Sequence, residues 1–368
     1  MRILIFNWRC WLHPDAGGSE KYLYEIFKRL ARKGYHITWF TSHAPGLKKN
    51  EYRDGIRLIR RGNKYTVYLW AFLHMLRCGR EYDIVIDSEN GIPFFTPIFF
   101  KKIICVVHHV HLDVFDIELK FPLNVIGKFL EGWAMPWLYK NCRFVTVSNS
   151  TRKEMIERLK INGNNIDIVY NGIDTVFFKH QTSGRCKTDI PRIIYFGRIK
   201  RYKRIDDVIK AFKEVKRTLD NVELVIAGKG DAEYLNYLKS LSRSNNLDIK
   251  FIEKVSDSEK ISLLSTSWVY VTTTVKEGWG ITIIEANACG TPVIAYNVPG
   301  LRDSVKHGYN GLLVESRNIK ALANTIITLI KDNNLREKLS KNAIEWAKRF
   351  SWDKSAEEFE KILRSEGY

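Results

Sequence analysis

The sequence predicts an α/β protein of two doubly wound domains, and three observations lead to this prediction. Short runs rich in isoleucine and valine alternate with stretches whose apolar residues recur at helical spacing, once from residue 3 and again from residue 193. These runs are apolar throughout, which is typical of parallel strands that are covered on both faces. A chain of 368 residues is also long enough for two domains that each bury a core.

The composition is that of a globular protein, with 45% hydrophobic and 27% charged residues. The longest apolar run, Ile92 to Phe100, is too short to span a membrane, and the chain enters its first strand directly, so no signal peptide is expected. Six cysteines, at positions 10, 78, 105, 142, 186 and 289, form no C-x-x-C pair and are expected to be reduced and buried. These features predict a cytoplasmic protein.

The formal net charge of +18 arises from both halves of the chain and not from a tail. Residues 1–180 hold 27 Lys and Arg against 17 Asp and Glu, and residues 181–368 hold 32 against 24. Such a surplus suits an anionic membrane surface, a nucleic acid or a phosphorylated substrate, and does not by itself decide among them.

The first domain opens with a strand–helix–strand unit. Ile3–Phe6 is the first strand, a loop ends in Gly17-Gly18-Ser19-Glu20, helical spacing continues to Gly34, and His36–Thr41 is the second strand. The glycines do not follow G-x-G-x-x-G, so NAD or FAD is not expected. Gly17 and Gly18 either bring the backbone close to a ligand or form a plain turn into the helix.

Residues 48–64 carry seven Lys and Arg against two acids around Asp54-Gly55, which predicts a basic hairpin. This hairpin is either a solvated surface or a contact for an anionic membrane or an acceptor. Asp83–Asp87 and Ile103–Val107 are predicted to be buried parallel strands. The second leads into His108-His109-Val110-His111, where no further ligands for zinc are visible. A single histidine lining a cleft is the favoured interpretation, because open α/β sheets bind ligands beyond their strand ends.

Residues 117–140 combine aromatic and aliphatic side chains with Lys128 and Lys140. An interfacial amphipathic helix is one interpretation. A buried core helix that leads into strand Arg143–Val147 is favoured, because the apolar residues cover too wide an arc for one face. These apolar residues are Phe121, Leu123, Val125, Ile126, Phe129, Leu130, Trp133, Trp137 and Tyr139.

The domain boundary is predicted at Asn171-Gly172-Ile173-Asp174 and the polar stretch Gln181–Thr188. A second alternating series follows, and the chain closes with three helical stretches. The last stretch, from about Trp352, has no partner within its own domain and is expected to cross back to the first. The predicted strands of the series are Ile193–Phe196, Val222–Ala227 and Ile249–Ile252, and its predicted helices are Asp206–Arg217, Tyr234–Leu241 and Asp257–Leu264.

The segment Val275–Gly300 carries the strongest functional signal. An apolar run, Trp268–Thr274, precedes a glycine loop, and helical character from Ile281 to Cys289 follows it. This order directs unpaired backbone N–H groups and the positive end of a helix dipole at one point. Glu277 and Glu285 border that point, so the segment suits a ligand with both phosphates and hydroxyls, such as a nucleotide sugar.

Two further loops add positive charge near the same predicted edge. The loop after the first strand of the second domain, Gly197 to Arg204, has five cations in the seven residues from Arg198. It suits a diphosphate, although a plain basic surface loop has the same composition. Ala227-Gly228-Lys229-Gly230-Asp231 ends the next strand, where it is placed to flank a nucleotide.

Together these motifs resemble the retaining glycosyltransferases of family GT4. The resemblance covers nearly the whole chain and implies the GT-B architecture, in which two Rossmann-like domains face a central cleft. Residues 1–176 would form the acceptor-side domain, residues 177–350 the donor domain, and residues 351–368 the helix that crosses back. The resemblance rests on the order and spacing of Gly17-Gly18-Ser19-Glu20, Asn171-Gly172-Ile173-Asp174, Gly197-Arg198 with Lys203, and Glu277-x7-Glu285.

The resemblance also implies roles for the matching residues. Arg198 and Lys203 would grip the donor diphosphate and stabilise charge on the departing nucleotide. Glu285 would accept the ribose hydroxyls, and Glu277 would hold hydroxyls of the donor sugar. The catalytic residues implied are Arg198, Lys203, Glu277 and His108, with His109 as the competitor of His108, and the donor-binding residues are Gly17, Gly18, Gly197, Arg198, Lys203, Gly278, Trp279, Gly280, Ile281 and Glu285. Trp279 stands where the family more often has phenylalanine.

The reaction implied is transfer of a hexose-type sugar from a nucleotide-diphosphate sugar to an acceptor hydroxyl, with retention and without a cofactor or divalent metal. The expected acceptor is a glycan or a lipid-linked molecule, in polysaccharide, glycolipid or lipid-linked oligosaccharide synthesis. The expected location is cytoplasmic, with peripheral contact to the inner face of the cell membrane, and nucleic acid is not an expected partner. Two alternatives stay open at this point: a nucleotide-sugar epimerase on the same fold, and a non-enzymatic polyanion-binding protein.

Overall fold

A computed structural model describes residues 1–78, 81–178 and 187–367. The chain divides into two compact units, Met1–Gly172 with Ser351–Tyr368, and Ile173–Phe350. The division falls inside the predicted boundary motif, and of the polar stretch Gln181–Thr188 only Lys187 and Thr188 lie within the described residues. Four cysteines are free and buried, as predicted, whereas Cys186 and the side chain of Cys78 lie outside the described part of the chain. The four are Cys10, Cys105, Cys142 and Cys289.

The first unit is an eight-stranded sheet with helices. Its elements are β1 (Arg2–Phe6), α1 (Gly18–Arg32), β2 (His36–Thr41), β3 (Asn50–Arg53), β4 (Ile56–Arg60), α2 (Val67–Cys78), β5 (Ile84–Glu89), β6 (Ile103–Val107), α3 (Leu112–Glu118), α4 (Leu123–Phe129), a π-helical turn (Leu130–Ala134), α5 (Met135–Leu138), β7 (Arg143–Thr146), α6 (Asn149–Leu159) and β8 (Ile166–Ile168). The strand order is β3-β4-β2-β1-β5-β6-β7-β8, and every pair is parallel except β3 with β4. The sheet therefore winds outward from β1 in both directions, as the alternating pattern predicts.

The core of this unit consists of strands that are buried from end to end, such as β5 and β6. The predicted basic hairpin is β3–β4, and its turn residues Asp54 and Gly55 both have positive φ. Arg60 in this hairpin is fully buried and ion-paired with Glu51 at 2.9 Å, so one of its seven cations serves the fold.

The last helix, α14 (Trp352–Gly367), packs on α1 within the first unit. The rings of Phe27 and Phe359 lie 5.2 Å apart between these helices. A Cβ atom on Gly172 would lie 2.2 Å from the backbone nitrogen of Trp352, so the two chain segments meet at van der Waals contact. The helix therefore contributes to the core of the unit that begins the chain.

The prediction of a buried core helix for residues 117–140 is wrong. The region is broken into α3, α4, the π-helical turn and α5, and its buried residues recur at intervals of four: Gly127, Glu131, Met135 and Tyr139. The wide apolar arc points away from that narrow buried stripe. Seven large apolar side chains are 47% to 82% exposed and are called the apolar surface below: Phe121, Leu123, Val125, Ile126, Phe129, Trp133 and Trp137. Among the helices of the described residues, none combines the length and apolar character needed to cross a membrane.

The second unit is a six-stranded parallel sheet with helices. Its elements are β9 (Arg192–Phe196), α7 (Ile205–Lys216), β10 (Glu223–Ala227), α8 (Ala232–Ser244), β11 (Ile249–Ile252), α9 (Asp257–Thr266), β12 (Val269–Thr272), α10 (Ile281–Ala288), β13 (Val293–Tyr296), α11 (Leu301–Ser304), β14 (Gly311–Val314), α12 (Ile319–Lys331) and α13 (Asn333–Ala347). The strand order is β11-β10-β9-β12-β13-β14. Every predicted element of the series is present, and β13 and β14 extend the sheet beyond the strands that were predicted.

Candidate functional site

The candidate site lies where β9 and β12 end in the second sheet. These strands are neighbours, but β9 is followed in the chain by β10, which lies on its other side. The chain therefore leaves the carboxyl ends of β9 and β12 in opposite directions and opens a crevice between their loops. The loop from Gly197 to Arg204 and the glycine loop from Val275 to Gly280 border this crevice.

Backbone and hydroxyl hydrogen bonds fix the two loops to each other. The N–H of Val275 donates to the carbonyl of Tyr202 at 3.0 Å. The hydroxyl of Thr273 donates to the carbonyls of Lys203 and Arg204, at 3.0 and 2.8 Å. Thr273, the residue after β12, therefore holds the basic loop in place.

Lys203 and Glu277 form an ion pair across the two loops. The Lys203 side chain is only 12% exposed. Burial lowers the pKa of this lysine, but the charge of Glu277 and its hydrogen bond raise the pKa by more, so the net shift is upward. The charge of Arg198, five residues earlier in the same loop, opposes that shift. The site thus concentrates two cations beside one carboxylate.

The glycine loop leads directly into α10. Gly280 is the residue before α10 and has φ +81, a conformation that a side chain would strain. Gly300 closes the loop from behind, because a Cβ atom there would lie 2.0 Å from the carbonyl oxygen of Glu277. The predicted strand, glycine loop and helix are all present, as β12, the loop that ends at Gly280 and α10.

Glu285 lies one turn inside α10 and is buried. Its carboxylate is ion-paired with Lys260 of α9, whose ammonium also lies 5.1 Å from the ring centroid of Phe196. Sequence reasoning missed Lys260, because it lies on a helix whose spacing gives no sign that one of its lysines faces the sheet edge. A basic residue 25 positions from an acidic one carries no local signal.

Three further residues of the second unit are predicted to bind the donor. The Trp279 side chain is buried and packs against Phe350, with ring centroids 5.1 Å apart, so the backbone is what this residue can offer a ligand. Gly197 is held by the β10 loop, since its N–H donates to the carbonyl of Ala227 at 3.0 Å. Ile281 is the first residue of α10.

In the first unit, His108 directly follows β6 and is buried. Burial, with a smaller contribution from His111, lowers its pKa to about 3, so the ring is neutral at ordinary pH. Its Nε2 atom has no hydrogen-bond partner among the described residues. The ring of His109 instead lies 4.0 Å from that of His111. Gly17 caps α1, and its N–H donates to the Glu20 carboxylate at 2.7 Å, so Gly17 forms the turn into this helix.

A second group of potential ligand residues lies in the first unit. Glu89, His111 and Glu131 each offer one atom, and these three atoms lie within 4.8 Å of one another. Sequence reasoning found His111 but neither glutamate, because both are far from the histidines in the chain.

Taken as chemistry, the second unit offers fixed cations, backbone N–H donors and two buried or half-buried carboxylates at one sheet edge. Cations and N–H groups stabilise negative charge on phosphate oxygens, and ionised carboxylates accept hydrogen bonds from hydroxyl groups. The arrangement therefore fits a molecule that has a diphosphate between two polyhydroxylated parts.

Comparisons with known proteins agree with this chemistry. The model of the family described as Glycosyl transferases group 1 matches residues 177–346, and that of Glycosyltransferase Family 4 matches residues 16–177. An uncharacterised glycosyltransferase of Methanocaldococcus jannaschii is 26% identical over 95% of both chains. The N-acetyl-alpha-D-glucosaminyl L-malate synthase of Bacillus anthracis is 24% identical over 95% of this chain and 94% of its own.

Solved structures share the fold at lower identity. The Anabaena protein HepE, in a crystal structure with UDP and glucose, superposes with a TM-score of 0.79 at 19% identity, covering 99% of this chain and all of its own. The two parallel-sheet units thus have the GT-B architecture, as predicted.

Proposed function

The chain belongs to the group 1, family 4 glycosyltransferases, and we propose that it moves a hexose-type sugar from a nucleotide-diphosphate sugar to an acceptor hydroxyl with retention of configuration. The observation that carries this proposal is the Lys203–Glu277 pair, with Arg198 near it, at the edge where β9 and β12 end. The relatives are glycosyltransferases, and the comparisons lend no support to the epimerase alternative.

The proposed chemistry depends on charge at the leaving group. Glycosyl transfer builds positive charge at the anomeric carbon while the diphosphate gains negative charge. Lys203 and Arg198 stabilise that gain, because a fixed cation interacts more strongly with the transition state than with the ground state. With two cations and the N–H groups of α10 at the diphosphate, we propose that the leaving group needs no divalent metal.

The carboxylates hold the two hydroxyl-bearing parts of the donor. We propose that Glu285 accepts the ribose hydroxyls and that Glu277, with the backbone of Gly278 to Ile281, accepts and orients the hydroxyls of the sugar. Glu277 is engaged by Lys203, and this supports a role in positioning rather than as a nucleophile. Retention then follows from attack on the face that the diphosphate leaves, with a phosphate oxygen taking the proton of the acceptor.

His108 is the residue of the first unit that we propose to contact the transferred sugar. Its ring is neutral and its Nε2 atom is unpartnered among the described residues, so it can exchange one hydrogen bond with a hydroxyl. His109 is less suited, because its ring lies against that of His111. Gly17 and Gly18 are proposed to approach the diphosphate through the backbone at the start of α1.

The acceptor is proposed to be lipid-linked or close to a membrane. The apolar surface of the first unit exposes aromatic rings in a row, with Phe129 and Trp133 stacked at 5.1 Å and Trp133 and Trp137 at 6.2 Å. The exposed Lys120 and Lys140 stand at the two ends of this segment. Aromatic and aliphatic groups with flanking cations suit the interface of an anionic bilayer. An anionic membrane is therefore the occupant that we propose for this surface.

The proposed function is tested by a thermal-shift screen against UDP-, GDP- and ADP-sugars with EDTA present. A donor at about 100 times its Kd stabilises the folded state by about 2.7 kcal/mol. The UDP series is tested first, because the HepE structure was determined with UDP and glucose. We expect one nucleotide series to raise the Tm of the wild type and to have little effect on Glu285→Ala. The exposed Glu253→Ala variant should respond like the wild type.

Each shift is measured against ligand-free protein in the same EDTA buffer, so an effect of EDTA alone cancels. A wild type that no nucleotide sugar stabilises, or equal stabilisation of Glu285→Ala, would contradict the donor assignment.

A further inference from the structure

Three residues from three elements of the first unit bring ligand atoms to one point. Glu89 is the last residue of β5, His111 precedes α3 in the loop after β6, and Glu131 lies in the π-helical turn Leu130–Ala134. Because β5 and β6 are parallel neighbours, their carboxyl ends meet at the same edge of the sheet. A π-helical turn is rare and tends to occur where a helix is distorted for a function.

The two glutamates are fully buried, and most of their oxygen atoms are unpartnered. Neither carboxylate oxygen of Glu89, nor Oε2 of Glu131, accepts a hydrogen bond of ordinary geometry from the described residues. The N–H of Gly91 gives Glu89 only a weaker electrostatic contact. Oε1 of Glu131 accepts from the backbone N–H of His111 at 2.6 Å, which fixes its side chain toward the group.

Charge balance makes these oxygens the part of the unit that most needs a ligand. Within the described ranges, no lysine or arginine forms an ion pair with Glu89 or Glu131, and His111 is the single basic partner, at 3.1 Å from Glu131. An ionised carboxylate without a partner is very costly in a protein interior, and buried charges are normally paired or bound to metals. A divalent cation would neutralise both carboxylates and leave the imidazole neutral as a third ligand.

We propose that Glu89, His111 and Glu131 bind a divalent transition-metal ion of the Zn²⁺ or Mn²⁺ type. One imidazole nitrogen with two carboxylate oxygens is a mixed donor set, which suits these ions better than the all-oxygen preference of Ca²⁺ or Mg²⁺. Metal–ligand bonds of about 2.0–2.2 Å hold ligand atoms roughly 3–4 Å apart. Atoms 4.8 Å apart would need to close by about 0.8–1.8 Å to reach that spacing.

The site would hold together the parts of the first unit that carry its proposed contacts. The loop that contains His111 also contains His108, and the helix that contains Glu131 carries the apolar surface on its other faces. The ion would thus fix that helix to the sheet edge, and with three protein ligands it would keep one coordination position for water or a hydroxyl group. This role is separate from the donor diphosphate, which the second unit is proposed to bind without metal.

The experiment is metal titration of protein that has been stripped with a chelator and dialysed. Zn²⁺, Mn²⁺ and Mg²⁺ are titrated by calorimetry, and Co²⁺ is followed by its ligand-field absorption. We expect one Zn²⁺ or Mn²⁺ per chain, with a rise in Tm, and affinity weakened by about 100-fold or more in Glu89→Gln, Glu131→Gln and His111→Ala. Matched controls are the exposed Glu118→Gln and His36→Ala, which should bind as the wild type does.

Two results would overturn the proposal. One is wild-type protein that binds none of these ions, or binds them with an affinity that the three variants leave unchanged. The other is a wild-type Tm that does not respond to metal, together with a Glu89→Gln variant that is more stable than the metal-free wild type. That result would mean that Glu89 carries a proton and does not bind an ion. If a glutamate variant fails to fold, His111→Ala decides the question, because that side chain is partly exposed. The donor screen measures the effect of Glu285→Ala in the second unit, so its outcome does not depend on whether the first unit binds a metal ion.

Discussion

Removing the charge of Lys203 is the sharpest test of how the proposed site works. In Lys203→Ala the ammonium that pairs with Glu277 disappears, and in Arg198→Ala the second cation disappears while the Lys203–Glu277 pair remains. The first change alters both the proposed leaving-group contact and the packing of two loops. The second change affects an exposed side chain, so it probes charge with little effect on folding.

The expected magnitude follows from the position of Lys203. A charge about 4 Å from a phosphate oxygen, at an effective dielectric constant of about 20, interacts by about 4 kcal/mol. Only the part of that energy which grows as the bond breaks lowers the barrier, so a loss of about 2.7–4 kcal/mol is an upper range. It corresponds to about a 10²–10³-fold lower turnover for either variant. Donor affinity should fall as well, because the ground-state diphosphate is already negative.

The assay is release of nucleoside diphosphate at saturating donor and acceptor, with Tm measured for every variant. Lys250→Ala is the matched control for Lys203→Ala, because Lys250 also pairs with a glutamate, Glu223, at 3.0 Å but is 63% exposed on β11. Arg217→Ala, at the far end of α7, is the control for Arg198→Ala. Both controls should keep wild-type turnover.

Turnover within about threefold of wild type in both Lys203→Ala and Arg198→Ala would contradict the assignment of these cations to the leaving group. A loss of turnover in Lys203→Ala that tracks a fall in Tm, with Arg198→Ala unaffected, would assign Lys203 to loop structure and not to the leaving group.

Two other predictions concern the first unit. The double variant Trp133→Ser with Trp137→Ser should no longer float with phosphatidylglycerol vesicles, but it should still turn over a soluble acceptor. The control variant, with the partly exposed Tyr237→Ser and Tyr309→Ser, should float as the wild type does. If the wild type instead forms concentration-dependent dimers that the tryptophan variant does not form, the apolar surface binds a second copy of the chain. Glu360 of α14 has its pKa lowered from 4.5 to about 2, chiefly by Lys33, the residue that caps the C-terminus of α1, then by Arg364 and Tyr35. Its stabilising effect is therefore complete above about pH 4.5 and is lost as the pH falls through 2. Glu360→Gln should therefore cost about 1 kcal/mol of stability at pH 7, after allowance for screening of its exposed partners, and progressively less as the pH falls through 2, whereas the exposed Glu357→Gln should have little effect over this range.

The sheets were predictable because their signal is local. A strand that is buried on both faces and is apolar throughout can be read directly from the sequence, and β6 begins and ends where its apolar run does. The glycine loop was also predictable, since the residue before α10, Gly280, adopts a positive φ that favours glycine. In a turn of this kind, the glycine that the backbone conformation requires and the strand and helix on either side of it all lie within one short segment of the sequence.

The region from Phe121 to Trp137 was not predictable in the same way. Apolar residues there outnumber what one buried face needs, and a sequence pattern does not say whether the surplus meets core, lipid or a partner. The buried stripe is narrow and contains Gly127 and Glu131, which hydropathy counts as poor core residues. The position of Glu131 makes sense only beside Glu89 and His111, which the fold brings together from distant parts of the chain.

The two carboxylates proposed to hold the donor share a feature that bears on specificity. Each is ion-paired with a lysine of the second unit, Glu277 with Lys203 and Glu285 with Lys260. A carboxylate that is paired with an ammonium group offers hydrogen-bond acceptors, so it favours hydroxyl groups, which donate, over further anions. In the proposed complex the diphosphate would give Lys203 a second partner without removing the first, whereas the ribose would have to share Glu285 with Lys260. We therefore expect Lys260 to influence affinity for the nucleotide, and Lys203 to influence turnover, although both lysines form the same kind of ion pair.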